Sequence, residues 1–367
     1  MKILIAYDGS PAADIAIESL SRAGLPTEDV EALVLTVAEV WLPPPAADEV
    51  LDDTFPLQVP PGLRRAREHA AAIMAEGEER AERGTKRVKQ VFPDWSVSRE
   101  VVNGSPGFEL LNRAEEWQPH LIVVGSHGHT AVGRFVLGSV SQKVLTEALT
   151  SVRVGRASTG VGDSAQRIII GIDGSPGSDI AVRAVAGRNW RPGSEVRVVV
   201  GEDLMKAFPV SLLVPPVKTI VDEVNEDERS QAEELVTKAL KQLRAGLDLS
   251  VTLSSVINSG DPKQVLVRHA EEFGADCIFT GATGFSNRIE RFVLGSVSAA
   301  VAARAQCSVE VVRFAAGLGG ITINHEKHKI NVGSTISHAG HADGPTSRSQ
   351  RPSSARRGHF AYFERSA

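Results

Sequence analysis

The sequence is short of cysteine, of long apolar runs and of net charge, and each shortage removes a class of protein. Only Cys277 and Cys307 occur among 367 residues. Two thiols offer no disulfide scaffold, and such scarcity fits a reducing compartment. No stretch approaches the ~18 uncharged apolar residues of a membrane span, so none is expected. The opening MKILIAYDGS is a brief apolar run without the longer apolar region and small-residue cleavage site of a secretory leader. The cytoplasm is therefore the expected compartment. A net charge of −5 argues against a nucleic-acid coat and says little more. Nothing places a Ser–His–Asp or Cys–His pairing, and paired carboxylates for acid–base work are not evident. Neither H-E-x-x-H nor a metal-spaced cysteine cluster occurs, so no metal-ligand set is expected. There is no G-x-x-x-x-G-K-[ST] loop. The first strand runs into Asp-Gly-Ser-Pro and not into the dinucleotide fingerprint G-x-G-x-x-G.

What is present is a pattern that occurs twice. Residues 2–7 read as a buried strand that stops at Asp8-Gly9-Ser10-Pro11, with Ser10 placed to cap a helix over 12–22. Strands over 30–40, 95–102, 121–124 and 151–155 alternate with helices over 63–87, 107–117 and 139–148. A proline-rich acidic loop covers 41–62, and the charged helix after it reads as a solvated surface with an alanine face. Residues 156–166 look like a linker. The pattern then restarts: Asp173-Gly174-Ser175-Pro176 repeats the first turn, and helices over 178–187, 219–244, 263–273 and 296–305 alternate with strands over 195–200, 249–257, 277–280 and 308–313. The string RFVLGSVS occurs at both 134–141 and 291–298, so the chain is an internal duplication. The βαβαβαβαβ order of each half implies a parallel sheet covered on both faces.

In such a sheet, ligands bind beyond the carboxyl ends of the strands, at the topological switch point. Three features of each half converge there: the aspartate after strand one (Asp8, Asp173), the turn after strand three (102–106, 257–262), and the glycine loop and helix start after strand four. Backbone N–H groups near Gly125, Gly128 and Gly138 can surround phosphate oxygens, and Ser139 and Ser141 add hydroxyls. Asp8 suits a ribose hydroxyl, an adenine amino group or a metal-bound water. Val37 and Val124 could flank a base. The residues favour nucleotide or phosphate binding; the competing reading is that the glycines only shape a turn and the serines only cap a helix.

The spacing Gly125, Gly128, Gly138-Ser139, taken with the Asp-Gly-Ser turn, resembles the universal stress protein family, whose nucleotide-binding members carry G-2x-G-9x-G-(S/T). The resemblance covers about 1–155 and 167–314, in the family's tandem two-domain form, and leaves 315–367 as a tail read as mostly disordered. It implies an α/β fold of two tandem, open, parallel five-stranded Rossmann-like sheets of the adenine nucleotide alpha hydrolase type. It also implies ATP, with Mg²⁺, held by Asp8, Val37, Gly125, Gly128, Gly138, Ser139, Val140 and Ser141. The second set is Asp173, Gly281, Gly284, Gly295, Ser296, Val297 and Ser298. There, ten residues separate Gly284 from Gly295 instead of nine, which would either bulge the loop or spoil the cradle. In the family the last strands pair across a two-fold axis, so this chain is expected to pair them internally as a pseudo-dimer. Monomer and homodimer both stay open for the whole chain.

An ATP-binding stress or signalling module is the function the resemblance implies. A slow Mg-dependent ATPase, a nucleotide-free partner-binding scaffold and a flavin-bearing fold of the same shape are the alternatives. His127 and His129 stand in the first loop as surface residues or phosphate contacts. His325, His328, His338, His341 and His359 in the tail suggest at most a weak metal site.

Overall fold

The computed structural model describes residues 1–40, 61–126, 137–158, 160, 164–202, 215–282 and 294–313. Strand β1 (Lys2–Ala6) is a run of apolar residues, and helices on both faces leave Ile3, Leu4 and Ile5 fully buried. The chain turns at Gly9, whose φ of +77° few side chains tolerate. Ser10 then caps α1 (Pro11–Ser19): its Oγ accepts from Ala13 N at 3.2 Å. The half continues through β2 (Glu31–Ala38), α2 (Pro61–Val91), β3 (Ser96–Asn103), α3 (Pro106–Trp117), β4 (Leu121–Gly125), α4 (Ser139–Glu147) and β5 (Ser151–Gly155).

The second half repeats this order. It runs through β6 (Arg167–Gly171), α5 (Pro176–Ala186), β7 (Glu195–Glu202), α6 (Pro215–Gly246), β8 (Thr252–Ser259), α7 (Pro262–Phe273), β9 (Cys277–Gly281), α8 (Ser296–Arg304) and β10 (Ser308–Val312). Ser175 caps α5 as Ser10 caps α1, accepting from Ser178 N at 3.2 Å.

Some boundaries differ from the sequence pattern. Helices α2 and α6 begin at prolines, a few residues earlier than their apolar periodicity suggests, because a helix loses nothing from a missing N–H in its first turn. Strand β8 starts later than expected, since Leu249 sits in a turn with 87% of its surface exposed. Residues 315–367 and their histidines lie outside the described residues.

The ten strands form one sheet in the order β3-β2-β1-β4-β5-β10-β9-β6-β7-β8. Within each half every pairing is parallel, and β1 and β4, like β6 and β9, are neighbours at the switch point. Strands β5 and β10 pair antiparallel at the centre, with Val154 opposite Val309, Arg153 opposite Glu310 and Val152 opposite Val311.

Period-two alternation sends Val152, Val154, Val309 and Val311 of these two strands to one face. There a single apolar core runs through both halves, joining Leu4, Ile122, Val152 and Val154 to Ile169, Ile278, Val309 and Val311. On the opposite face the apolar packing is split into two clusters, one around Ile3, Ile5 and Val34 and one around Ile168, Val198 and Leu243. Charged residues are buried along the boundary between the halves. No described helix is long and apolar enough to cross a membrane.

Candidate functional site

A cavity of about 630 Å³ opens over the carboxyl ends of β1, β2 and β4. That falls within the range of small-molecule sites, roughly 300–1,000 Å³. Asp8, Val37, Gly125, Gly138, Ser139, Val140 and Ser141 all line it, so seven of the eight residues singled out in the first half converge on one space. Gly128, like His127 and His129, lies outside the described residues.

The local fold explains the arrangement. Gly125 ends β4 against the backbone of α1: a Cβ there would stand 3.0 Å from the Ala12 carbonyl carbon. Gly138 donates its N–H to Ser126 O at 2.8 Å and sits at the N-cap of α4 in extended conformation. As a glycine it brings no side-chain acceptor to the helix's first N–H groups. Those donors, with the positive end of the helix, are therefore presented at the wall where Ser139 is exposed.

Ser141 differs from its expected role. Its hydroxyl donates to Gly125 O at 2.6 Å and pins α4 to β4, so its proton is committed to the scaffold. Asp8 is exposed, and its Oδ1 accepts from Ser10 N at 2.9 Å, which fixes the carboxylate at the rim. Tyr7 also lines the cavity. Burial, then its hydrogen bond to Asp14 at 2.8 Å, pushes its pKa up to about 12, so it remains a neutral phenol.

The lining also holds residues that the sequence pattern did not mark. Ile73, Glu76 and Arg80 of α2 face the cavity, with Arg80 ion-paired to Glu76. This corrects the reading of that helix as solvated surface only. Spacings of three and four residues put the three side chains on one stripe, a signal visible in the sequence once the helix is known to reach over the site.

The second half repeats the constellation around about 420 Å³. Asp173, Gly281, Gly295, Ser296, Val297 and Ser298 line it, while Gly284 lies outside the described residues. Asp173 Oδ1 accepts from Ser175 N at 3.0 Å, Gly295 donates to Ala282 O at 2.6 Å, and Ser298 donates to Gly281 O at 2.5 Å. Each contact reproduces its counterpart in the first half. The walls differ. Gly201 takes the place of Val37, and a Cβ at 201 would meet the Cα of Pro262 at 2.7 Å. The cysteines stand apart from both pockets. Cys277 and Cys307 are buried free thiols, with pKa values raised by desolvation to about 11 and about 12.

Two half-sheets of switch-point topology, each with a glycine-opened helix over a pocket, define a tandem α/β protein of the Rossmann-like, doubly wound class. The sequence model of the universal stress protein family matches residues 1–155 and 164–313, and the chain belongs to that family. It is similar to a universal stress protein of Mycolicibacterium smegmatis, with 30% identity over 160 residues, which are 42% of this chain and 46% of the relative. A universal stress protein of Methanocaldococcus jannaschii is 28% identical over 155 residues, 42% of this chain and 80% of that one. The match thus spans about half the length of the first relative and more of the second. The crystal structure of a universal stress protein from Archaeoglobus fulgidus aligns with 85% of this chain and 98% of its own, with a TM-score of 0.54 at 20% identity, a likeness of fold.

Proposed function

We propose that the chain is a cytoplasmic stress-response or signalling module governed by bound ATP, and that each half holds one nucleotide. The observation that carries this reading is the glycine-capped start of α4 facing a cavity that also contains Asp8 and an apolar wall. The chemistry of the donors fits the ligand. N–H groups of 139 and 140 and the Ser139 hydroxyl suit phosphate oxygens. Asp8 suits a ribose hydroxyl or a magnesium-bound water, and Val37 and Val124 suit a base. Bound Mg²⁺ would supply charge neutralisation of the phosphates; Asp8 is the residue placed to reach its water shell. The recurring Asp173, Gly295 and Ser296 arrangement extends the proposal to the second half. In the same reading the halves form an internal pseudo-dimer through β5 and β10.

The test is Gly138→Asp. Gly138 has φ −61° and ψ 150°, a conformation aspartate adopts readily, and aspartate is a good N-cap. Its carboxylate would take the free N–H groups and repel phosphate. Losing about two charge-assisted hydrogen bonds corresponds to roughly a 100-fold weaker affinity. The expected result is that loss of Mg-ATP binding by the first half with an unchanged or raised melting temperature. Unchanged binding by the variant would remove the phosphate cradle from the site. Slow hydrolysis, the competing activity, would show in the same samples as phosphate release abolished by Asp8→Ala.

A further inference from the structure

The boundary between the halves buries charged side chains, Arg22, Arg153, Arg156, Asp276 and Glu310 among them. On the face opposite the continuous apolar core, Arg153 of β5 and Glu310 of β10 are exposed by only 0% and 1%. Arg153 Nη1 lies 3.3 Å from Glu310 Oε2, and its Nη2 donates to Ser19 O at 3.2 Å. Arg188, at the end of α5, pairs with the other oxygen of Glu310 and donates to Ala23 O at 2.6 Å. Beside this triad, Asp276 accepts from Arg22 Nε at 2.7 Å and Nη2 at 2.8 Å, with Arg22 and Asp276 exposed by 5% and 4%. Both pairs join one half to the other.

Their positions under the duplication are informative. In this part of the chain the repeat offset is 157 residues, as between Gly138 and Gly295. Residue 153 therefore pairs with its own counterpart, 310, and the pair lies on the pseudo-two-fold axis. In a dimer of two first halves, that axis would bring Arg153 against a second Arg153. In a dimer of two second halves, Glu310 would face Glu310, each keeping Arg188 of its own half but losing Arg153. The flanking pair follows the same logic: Arg22 corresponds to Gly187, and Asp276 to His120. Two first halves would present Arg22 to a histidine, and two second halves would leave Asp276 opposite a glycine.

Other bonds of the seam obey the pseudo-two-fold symmetry. Ser308 Oγ accepts from Arg156 N at 3.1 Å, and Ser151 Oγ accepts from Arg313 N at 3.0 Å. Arg156 donates to Ala302 O at the end of α8, and Arg313 to Leu145 O at the end of α4. Arg153, Glu310, Arg22 and Asp276 are the buried charges that differ between the halves.

We infer that Arg153–Glu310, with Arg22–Asp276, is a pairing code that directs each half to its unlike half and rejects a second copy of itself. Buried ion pairs add little net stability compared with apolar residues, but a like-charged pair at the same place costs several kcal/mol. The tether at 156–166 then favours the unlike half of the same chain by effective concentration. The inference rests on the pseudo-dimer reading and is independent of nucleotide binding.

The full chain tests it after a single cut at a protease site placed in 161–163. Cut protein is mixed with an isotopically heavy cut copy, the halves are left to exchange under folding conditions, and the complexes are weighed by native mass spectrometry. The code predicts that about nine-tenths or more are unlike-half complexes, where indifferent pairing gives roughly half. In Arg153→Leu with Glu310→Leu, the like-half share should rise several-fold. A statistical mixture in the unsubstituted protein, or no rise in the double variant, overturns the code. A cut protein that falls apart into single halves overturns the pseudo-dimer reading beneath it. The uncut chain gives a check that needs no exchange. Arg153→Glu should melt about 5 °C or more below Arg153→Met, because only the former sets two carboxylates at the axis. Equal midpoints would also overturn the code.

Discussion

Replacing Gly281 with alanine is expected to destabilise the chain by about 3 kcal/mol or more, among the largest effects of any single methyl group. Gly281 ends β9, where α5 begins immediately above the strand. A Cβ at 281 would stand 2.3 Å from the carbonyl carbon of Gly177, 2.6 Å from its oxygen and 2.7 Å from its Cα. These are backbone atoms in the first turn of a capped helix, so no side chain can swing aside. The whole of α5 would have to lift from the sheet, and with it the packing of Ala181, Val182 and Val185. The first half provides the control. At Gly125 the nearest backbone atom is Ala12 C at 3.0 Å, so Gly125→Ala should cost only about 1 kcal/mol. Urea melts of both variants measure the difference, and equal losses would contradict the packing argument. The same displacement would open the second pocket, since Gly281 and Ser298 both line it.

Asp276→Ala should cost about 3–5 kcal/mol, because it removes one partner of a buried ion pair and strands the other. Besides Arg22, the carboxylate accepts from Arg167 N at 2.8 Å and from the Ser158 hydroxyl. Burial opposes its ionisation, but the donors from Arg22, Ser158 and Arg167 outweigh burial and hold its pKa below the ordinary 3.8. A carboxyl group whose folded pKa is depressed stabilises the fold fully above the unfolded value. That stability is lost as pH falls through the folded value. Melting temperatures of the unsubstituted protein should therefore drop more steeply below pH 3.8 than those of Asp276→Asn, which has no such proton to take up. Parallel acid limbs would show that Asp276 is not carrying the interface.

These two cases show where sequence reasoning reaches and where it stops. The strands were legible because both faces of a parallel sheet are covered, so β1 and β4 read as unbroken apolar runs. The helix starts were legible through Ser10-Pro11 and Ser175-Pro176, where cap and proline do local work. Gly125, Gly138 and Ser139 were legible as a group because their spacing is local to one loop and one helix turn.

The tertiary partners were not. Nothing near Asp276 announces Arg22, which lies 254 residues away in the chain. Alternation in Ser151–Gly155 puts Arg153 on the face away from Val152 and Val154. It did not reveal that this face is also buried, because that depends on α1 and α5 closing over the central pair. Ser141 looked like a phosphate donor until the register of α4 over β4 brought its hydroxyl to Gly125 O. The α2 stripe of Ile73, Glu76 and Arg80 was hidden for the same reason: a polar helix face reads as solvent until its neighbour is known. The segment at 156–166 looked like a linker, yet Arg156 is buried and Ser158 and Ser164 bond across the seam.

The most direct measurement is calorimetric titration of the full chain with Mg-ATP, after stripping and identifying any nucleotide released on denaturation. The account predicts two nucleotides per chain, falling to one in Gly138→Asp while the fold is retained. Absence of binding by the folded, stripped protein would contradict it. A single site insensitive to Gly138→Asp would contradict the assignment of the cradle to α4.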